Sequence, residues 1–211
     1  MPASIGSRHV ALVAVGFLSS VALYSRIPAA YCGPGCSMVL ARPLIAFVLP
    51  AALALVVGLL GILWKRDAIR DRDAHMEATY GAIITTVLLL ILGVHLAVLS
   101  ALTSQLQINV VRVVAHAVPL MLGLALIVIG NLLPRLRPNI VIGIRTSRTL
   151  SDRGVWARTN RTAGYATVGA GTSFLLAGLL PNLPVMEFAT LAAAGVMAML
   201  AWSSWRSRHA S

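Results

Sequence analysis

Long apolar stretches, separated by short polar and basic segments, dominate the pattern of the chain. Six of them approach or reach the roughly 20 apolar residues that a helix needs to cross a bilayer. They cover residues 10–24, 44–64, 80–102, 113–133, 164–180 and 185–202. A barrel strand would alternate apolar and polar residues, whereas residues 87–92 are apolar on every side. The pattern therefore predicts an all-α integral membrane protein, a bundle of six transmembrane helices.

Composition agrees with a membrane environment. Hydrophobic residues make up 58% of the 211 positions and charged residues only 11%, against about 25% in soluble domains. The sequence contains no nucleotide-binding Gly-rich loop, no His-Glu-x-x-His zinc motif and no nucleophile elbow, so nothing in it indicates an enzyme or a cofactor.

The basic residues predict the orientation of the six helices. Both termini, the second loop and the fourth loop share one side of the membrane, and that side carries 14 of the 17 cations. The opposite side carries Arg26, Arg42 and Arg112. Cations near helix ends are retained in the cytoplasm. We therefore expect both termini in the cytoplasm, and the net charge of +11 requires no nucleic acid, although anionic lipid headgroups are natural partners.

The first apolar stretch has an alternative interpretation. Arg8 and His9 followed by residues 10–18 also resemble the basic and apolar regions of a signal peptide. No clean small-x-small cleavage site follows. Ala29-Ala30-Tyr31-Cys32 resembles a lipoprotein cleavage site, but bulky Tyr31 stands where that site requires a small residue. We therefore interpret this stretch as a retained helix.

Two polar groups outside the fourth loop are candidate sites. Cys32 and Cys36 flank Gly-Pro-Gly in the first outer loop, where a turn and an oxidising environment favour a disulfide; free thiols are the alternative. The mixed charges of residues 65–77 suit a solvated helical extension better than a metal site.

His95 lies near the middle of the third predicted span. An ionisable residue inside a membrane is often functional, but a neutral imidazole bonded to a neighbouring helix is the simpler interpretation. With Thr85 and Thr86 it would supply the only intramembrane polar path that a small transporter or channel, our alternative function, would need.

The fourth loop, residues 130–164, is the most informative segment. Pro134 and Pro138 end the preceding helix and favour extended backbone before each, and the Asn131 amide is expected to bond to the backbone freed there. Gly143 permits a turn. A loop that only sets topology would explain the arginines but not these residues.

Beyond Gly143, Arg145 and Thr146 present a fork of donors and a hydroxyl. We expect Ser151 to cap a short helix that lies at the membrane interface and carries Trp156 in the headgroup layer. An enzyme acting on lipid would use Arg145 for phosphate, but Asp152 is the only acid nearby.

This loop resembles the SdpI family of bacterial membrane immunity proteins. The resemblance rests on Gly130-Asn131, Pro134-Arg135, Arg137-Pro138-Asn139, Gly143-Ile144-Arg145-Thr146, Thr149-Leu150-Ser151, Val155-Trp156, Thr159, Arg161 and Gly164. Two positions depart from the family pattern: Ser147-Arg148 replaces a Pro-Trp pair, and Asn160 replaces a His.

The resemblance implies a non-catalytic protein of the bacterial cell membrane that protects against a secreted, membrane-active peptide toxin. In such systems the protein can also hold a cytoplasmic transcriptional repressor at the membrane. The motif residues implied for partner recognition are Asn131, Pro134, Pro138, Asn139, Gly143, Arg145, Thr146, Thr149, Trp156 and Arg161.

The resemblance also implies a division of the chain. Residues 80–211 correspond to the four-helix SdpI-like membrane domain with its Arg-rich cytoplasmic loop between helices four and five. Residues 1–79 form a two-helix region that resembles the family's N-terminal domain through Tyr24-Ser-Arg-Ile-Pro28 and Leu49-Pro50.

Overall fold

A computed structural model describes residues 6–32, 39–66, 74–104, 110–139, 141–180 and 195, and most of these residues are helical. The helices are α1 (Ser7–Leu23), α2 (Arg42–Arg66), α3 (Ala74–Thr103), α4 (Val110–Leu132), α5 (Ser147–Ser151) and α6 (Arg153–Leu179). Short 3-10 turns at Tyr24–Arg26 and Leu133–Arg135 extend α1 and α4. In lipid, helices satisfy every backbone polar group internally, which is why apolar segments of this length adopt them.

Four of the described helices are long and apolar enough to cross a membrane: Ser7–Arg26, Arg42–Leu63, His75–Thr103 and Val110–Arg135. They coincide with the first four predicted spans. The fifth predicted span lies within α6, where glycines, threonines and a serine dilute the apolar content, so α6 is not among these four. The sixth predicted span lies outside the described residues, apart from Gly195.

The first outer loop contains a small exception to the all-α prediction. Strands β1 (Ala30–Tyr31) and β2 (Leu40–Ala41) pair antiparallel, with Ala30 opposite Ala41 and Tyr31 opposite Leu40. The backbone N–H of Arg42 also donates to the Ala29 carbonyl at 3.0 Å. The pairing of the two strands thus brings the end of α1 next to the start of α2.

Helix α3 lies at the centre, in contact with α1, α2 and α4. Two buried polar pairs join it to α1. His9 Nε2 lies 3.0 Å from Thr85 Oγ1, and His95 Nε2 lies 2.9 Å from Ser20 Oγ. The residue numbers increase in the same direction along both helices, from His9 to Ser20 in α1 and from Thr85 to His95 in α3. The two helices therefore run parallel, as expected when the chain crosses the membrane twice between their starts.

Helices α4 and α6 pack antiparallel along a seam of glycines. A Cβ atom on Gly130 would lie 2.7 Å from the Gly164 carbonyl oxygen, and one on Gly123 would lie 2.6 Å from that of Gly171. These backbone distances leave no room for a side chain. Small residues give such close approach between helices in lipid, so Gly164 and Gly171 serve the packing of α6 against α4.

Candidate recognition site in the loop between α4 and α6

The site begins where α4 ends at its proline. Pro134 lies in the 3-10 turn Leu133–Arg135, and Leu136 is already extended. The expectation for Asn131 is wrong: its exposed amide donates to the carbonyl of Ile127 within α4, at 2.8 Å, and not to backbone freed by the proline. An amide can reach the carbonyl four residues back from any exposed helical position, so Asn131 has no role in ending α4.

Asn139 shapes the next turn. It is only 3% exposed, and its Oδ1 accepts the backbone N–H groups of Val141 and Ile142 at 2.9 and 2.8 Å. Its Nδ2 donates to the Arg137 carbonyl at 2.8 Å. The half-buried Pro138 precedes it. These three hydrogen bonds all lie within the loop. Asn139 therefore holds the backbone of the loop in position and does not face a partner.

Gly143 and Asn160 form the second turn of the loop. Gly143 has a φ of 113°, and a Cβ there would lie 2.6 Å from Asn160 Oδ1 and 2.9 Å from the Trp156 ring, so glycine is required on both counts. Asn160 Oδ1 accepts the Ile144 N–H at 3.0 Å, and its Nδ2 donates to the Trp156 carbonyl at 3.1 Å.

Trp156 is the buried centre of the loop. Its side chain is 1% exposed, and its Nε1–H donates to the Leu136 carbonyl at 2.7 Å. The expected position in the headgroup layer is therefore wrong. The indole N–H finds an acceptor inside the loop, and the ring packs against Leu133 and Ala163 in a buried apolar cluster that also includes Ile83 of α3.

The short helix predicted to begin at Ser151 is the first part of the 27-residue helix α6, and a separate five-residue helix, α5, precedes it. Thr146 caps α5: its Oγ1 accepts the Thr149 N–H at 3.1 Å, and Thr149 Oγ1 accepts the Thr146 N–H at 2.8 Å. Ser151, the predicted cap, instead ends α5. Asp152 caps α6, since its Oδ1 accepts the N–H groups of Gly154 and Val155.

The surroundings of Asp152 favour its charged form. Hydrogen bonds from the Val155 and Gly154 N–H groups, with smaller contributions from the charges of Arg158 and Arg148, hold the pKa of this carboxyl below its ordinary value. The acid is therefore ionised at neutral pH and acts as a helix cap. It offers no proton for the lipid chemistry considered above.

The capping arrangement also accounts for one departure from the family pattern. Ser147 is the first residue of α5, a position where proline is well tolerated because its missing N–H would have no partner within the helix. Exchange between Pro and Ser at this position therefore leaves the loop intact. Arg148 is exposed, so its exchange with Trp changes the surface of α5.

The arginines surround this internally bonded loop. All seven are exposed: Arg135, Arg137, Arg145, Arg148, Arg153, Arg158 and Arg161. Arg145 stands between Ile144, whose N–H is held by Asn160, and Thr146, the α5 cap. Thr149 reinforces the same backbone, because its hydroxyl donates to the Ile144 carbonyl at 2.9 Å. The cation of Arg145 is thus carried by one of the most fixed backbone segments of the loop.

The loop also joins two of the three buried hydrophobic clusters of the described residues. Ile142 packs against the Trp156 cluster and, with Val141, against a second cluster that contains Met76, Tyr80 and Leu53. The predictions missed Ile142 and the bonding role of Asn160. The run Ile140-Val141-Ile142 of apolar residues in a basic loop was the available signal for Ile142.

The remaining predicted site residues lie outside the loop. His95 is fully buried; Ser20 donates to the Ala46 carbonyl, so its oxygen is left to accept from His95 Nε2. His95 Nδ1 has no partner among the described residues. Within the same residues no cluster of three His, Cys, Asp or Glu could hold a metal. Cys32 is disulfide-bonded, and Cys36, the other cysteine of the chain, lies outside the described part.

Comparison with known proteins agrees with the family resemblance of the loop. Residues 135–204 match the model of the SdpI/YfhL protein family. The chain is also 27% identical over 174 residues to "Immunity protein SdpI" of Bacillus subtilis (strain 168), which covers 81% of this chain and 78% of that protein. No solved structure matches. The predicted resemblance is therefore confirmed: residues 135–204 match the SdpI/YfhL family model, and most of the chain is similar to an immunity protein.

Proposed function

We propose that this chain is a six-span membrane immunity protein that protects its cell against a secreted, membrane-active peptide toxin. The observation that carries the proposal is the coincidence of the family match with the loop. The match begins at Arg135, in the loop between α4 and α6. Internal hydrogen bonds hold the backbone of this loop in place, and the arginines of the loop are exposed.

The proposed mechanism is recognition without catalysis. The exposed guanidinium groups offer planar forks of donors suited to carboxylates or phosphates, and the buried network beneath them limits the entropy lost on binding. The motif residues divide accordingly. Arg145 and Arg161 face outward, whereas Asn139, Thr149 and Trp156 support the loop from inside.

We place both termini and this loop in the cytoplasm, because that orientation puts 14 of the 17 cations inside. The loop is then available to a cytoplasmic partner, such as a transcriptional repressor held at the membrane. Ile142 connects it to α3, so a toxin that shifts α3 would change the loop, provided the two states differ in toxin affinity.

The decisive experiment is a deletion of the gene in its own bacterium, complemented by the wild-type chain or by an empty vector. Both strains are exposed to spent medium of the parent culture, fractionated to retain peptides. Loss of viability only in the empty-vector strain supports immunity. Equal survival of both strains at every peptide concentration would rule the function out.

A further inference from the structure

A groove lies between α2 and α4, opposite the end of the bundle that carries the motif loop. It has a volume of about 370 Å³. Its floor is the end of α3 and its roof is the β1–β2 ribbon. The lining residues are Tyr31, Leu40, Leu44, Ile45, Val48, Leu49, Val98, Leu102, Val110 and Val114.

The lining restricts what can occupy the groove. Among the lining residues that the structure describes, Tyr31 alone has a side chain with a polar atom, so an extended peptide would leave most of its backbone N–H and C=O groups unpaired against them, at a large cost in an apolar site. A hydrocarbon chain has no polar groups to satisfy.

The groove is open to the surface that faces lipid. Leu44 and Val48 are 52% and 53% exposed, and α2 is one of the four helices that can cross a membrane. An acyl chain can therefore enter sideways from the bilayer. Inside, it would gain dispersion contacts from walls that are otherwise only partly packed.

The charges at this end select the headgroup. Arg26, Arg42 and Arg112 all lie at the ends of α1, α2 and α4 nearest the groove. The acidic residues that the structure describes, Glu77 and Asp152, lie near the opposite end, at the starts of α3 and α6. Cations near the membrane surface attract anionic lipids over distances of about a Debye length.

We propose that the groove between α2 and α4 holds one acyl chain of an anionic phospholipid from the adjacent leaflet, retained by the excess of arginine at that end. This site is independent of the immunity function. It would anchor the lipid between two helices that have few direct contacts with each other.

The test uses the full-length chain in detergent, titrated with phosphatidylglycerol or phosphatidylcholine of identical chains, with bound lipid counted by native mass spectrometry. Val48→Trp fills the groove from an exposed position, and Leu44→Trp does so one turn earlier. Leu55→Trp is the matched control, since it lies two turns beyond Val48 on the same face of α2, is 61% exposed and does not line the groove.

We expect wild type and Leu55→Trp to retain one phosphatidylglycerol in preference to phosphatidylcholine, and both groove variants to lose it at least tenfold. Arg42→Gln with Arg112→Gln should reduce the preference by roughly 25-fold, or fivefold for each charge. Equal retention by wild type and both groove variants would overturn the site. Equal retention of the two lipids by wild type would overturn its anionic character. A Val48→Trp chain that keeps the lipid but loses toxin protection would assign the groove to the toxin instead.

Discussion

The side-chain oxygen of Asn160 accepts the backbone N–H of Ile144 at 3.0 Å, across sixteen residues of chain. This bond ties the first turns of α6 to the backbone just before Arg145. We expect Asn160→Ala to leave the Ile144 N–H buried and unpaired, which costs about 1–3 kcal/mol, and to loosen residues 143–146. Hydrogen exchange of the reconstituted protein should show faster exchange there.

Asn160→His provides the control for that measurement, because an imidazole nitrogen can accept the same bond. Slow exchange should return in this variant. If Asn160→Ala exchanges as slowly as wild type, the bond does not hold the turn.

Arg145 should be the most sensitive arginine of the loop. Arg145→Lys keeps the charge, and therefore the topology, but loses the planar fork of donors. We expect weakened toxin protection that corresponds to about 1.5–3 kcal/mol, the range for hydrogen bonds to charged groups. The measurement is the survival of toxin-treated cells in which the variant and the wild-type chain are present in the membrane at equal levels.

Arg153→Lys is the matched variant for Arg145, since Arg153 is also exposed but lies at the start of α6. It should protect like wild type. Indistinguishable survival of the two variants would reduce the loop arginines to topological anchors.

The effect of replacing a glycine of α6 should depend on whether that glycine lies in the contact with α4. Gly164→Ala places a Cβ within 2.6 Å of the Gly130 carbonyl oxygen, whereas Gly169→Ala on the same helix meets nothing within 4 Å. We expect Gly164→Ala to lower the thermal unfolding midpoint by several degrees. Gly169→Ala should leave it unchanged or raise it, because alanine favours the helix. Equal midpoints would show that α4 and α6 do not meet here.

Cys32 and Cys36 should be paired in the native membrane. The motive is the Gly-Pro-Gly turn between them and the bonded state of Cys32. A membrane-impermeant maleimide should label intact cells only after reduction. Full labelling of both thiols without reductant would exclude the pair.

The orientation can be tested with reporter fusions. Fusions after Ser37, Ser104 and Asn182 should report the outside, and fusions after Ala74, Ser151 and Ser211 the cytoplasm, because of the distribution of cations. An external signal at Ser151 would contradict the orientation and remove the loop from any cytoplasmic partner.

The sequence was sufficient to predict the first four apolar helices, because length and hydropathy alone decide which segments can cross lipid. It did not predict where the loop ends, since the fifth span was expected to begin at residue 164, whereas α6 begins at Arg153. The sequence could not show whether Trp156 lies at the membrane interface or in the buried core. A tryptophan suits either location, and the buried one requires an acceptor for its indole N–H, which is the carbonyl of Leu136, twenty residues away. The roles of Asn139 and Asn160 were likewise hidden, since their partners are backbone groups that come together only in the folded loop. The division at residue 79 falls within α3 and stays a prediction.

Gly164, Gly171 and Gly178 recur every seven residues along α6, opposite Gly130, Gly123 and Leu120 of α4. A seven-residue period keeps two helices in contact along a gentle left-handed crossing. Rotating α6 about its axis would move all three glycines out of the seam together, and sliding it to the next matching register would require about 10 Å. α6 therefore has one favoured register against α4, and a movement of α3 reaches the arginine loop through the contacts of Ile83, Val141 and Ile142.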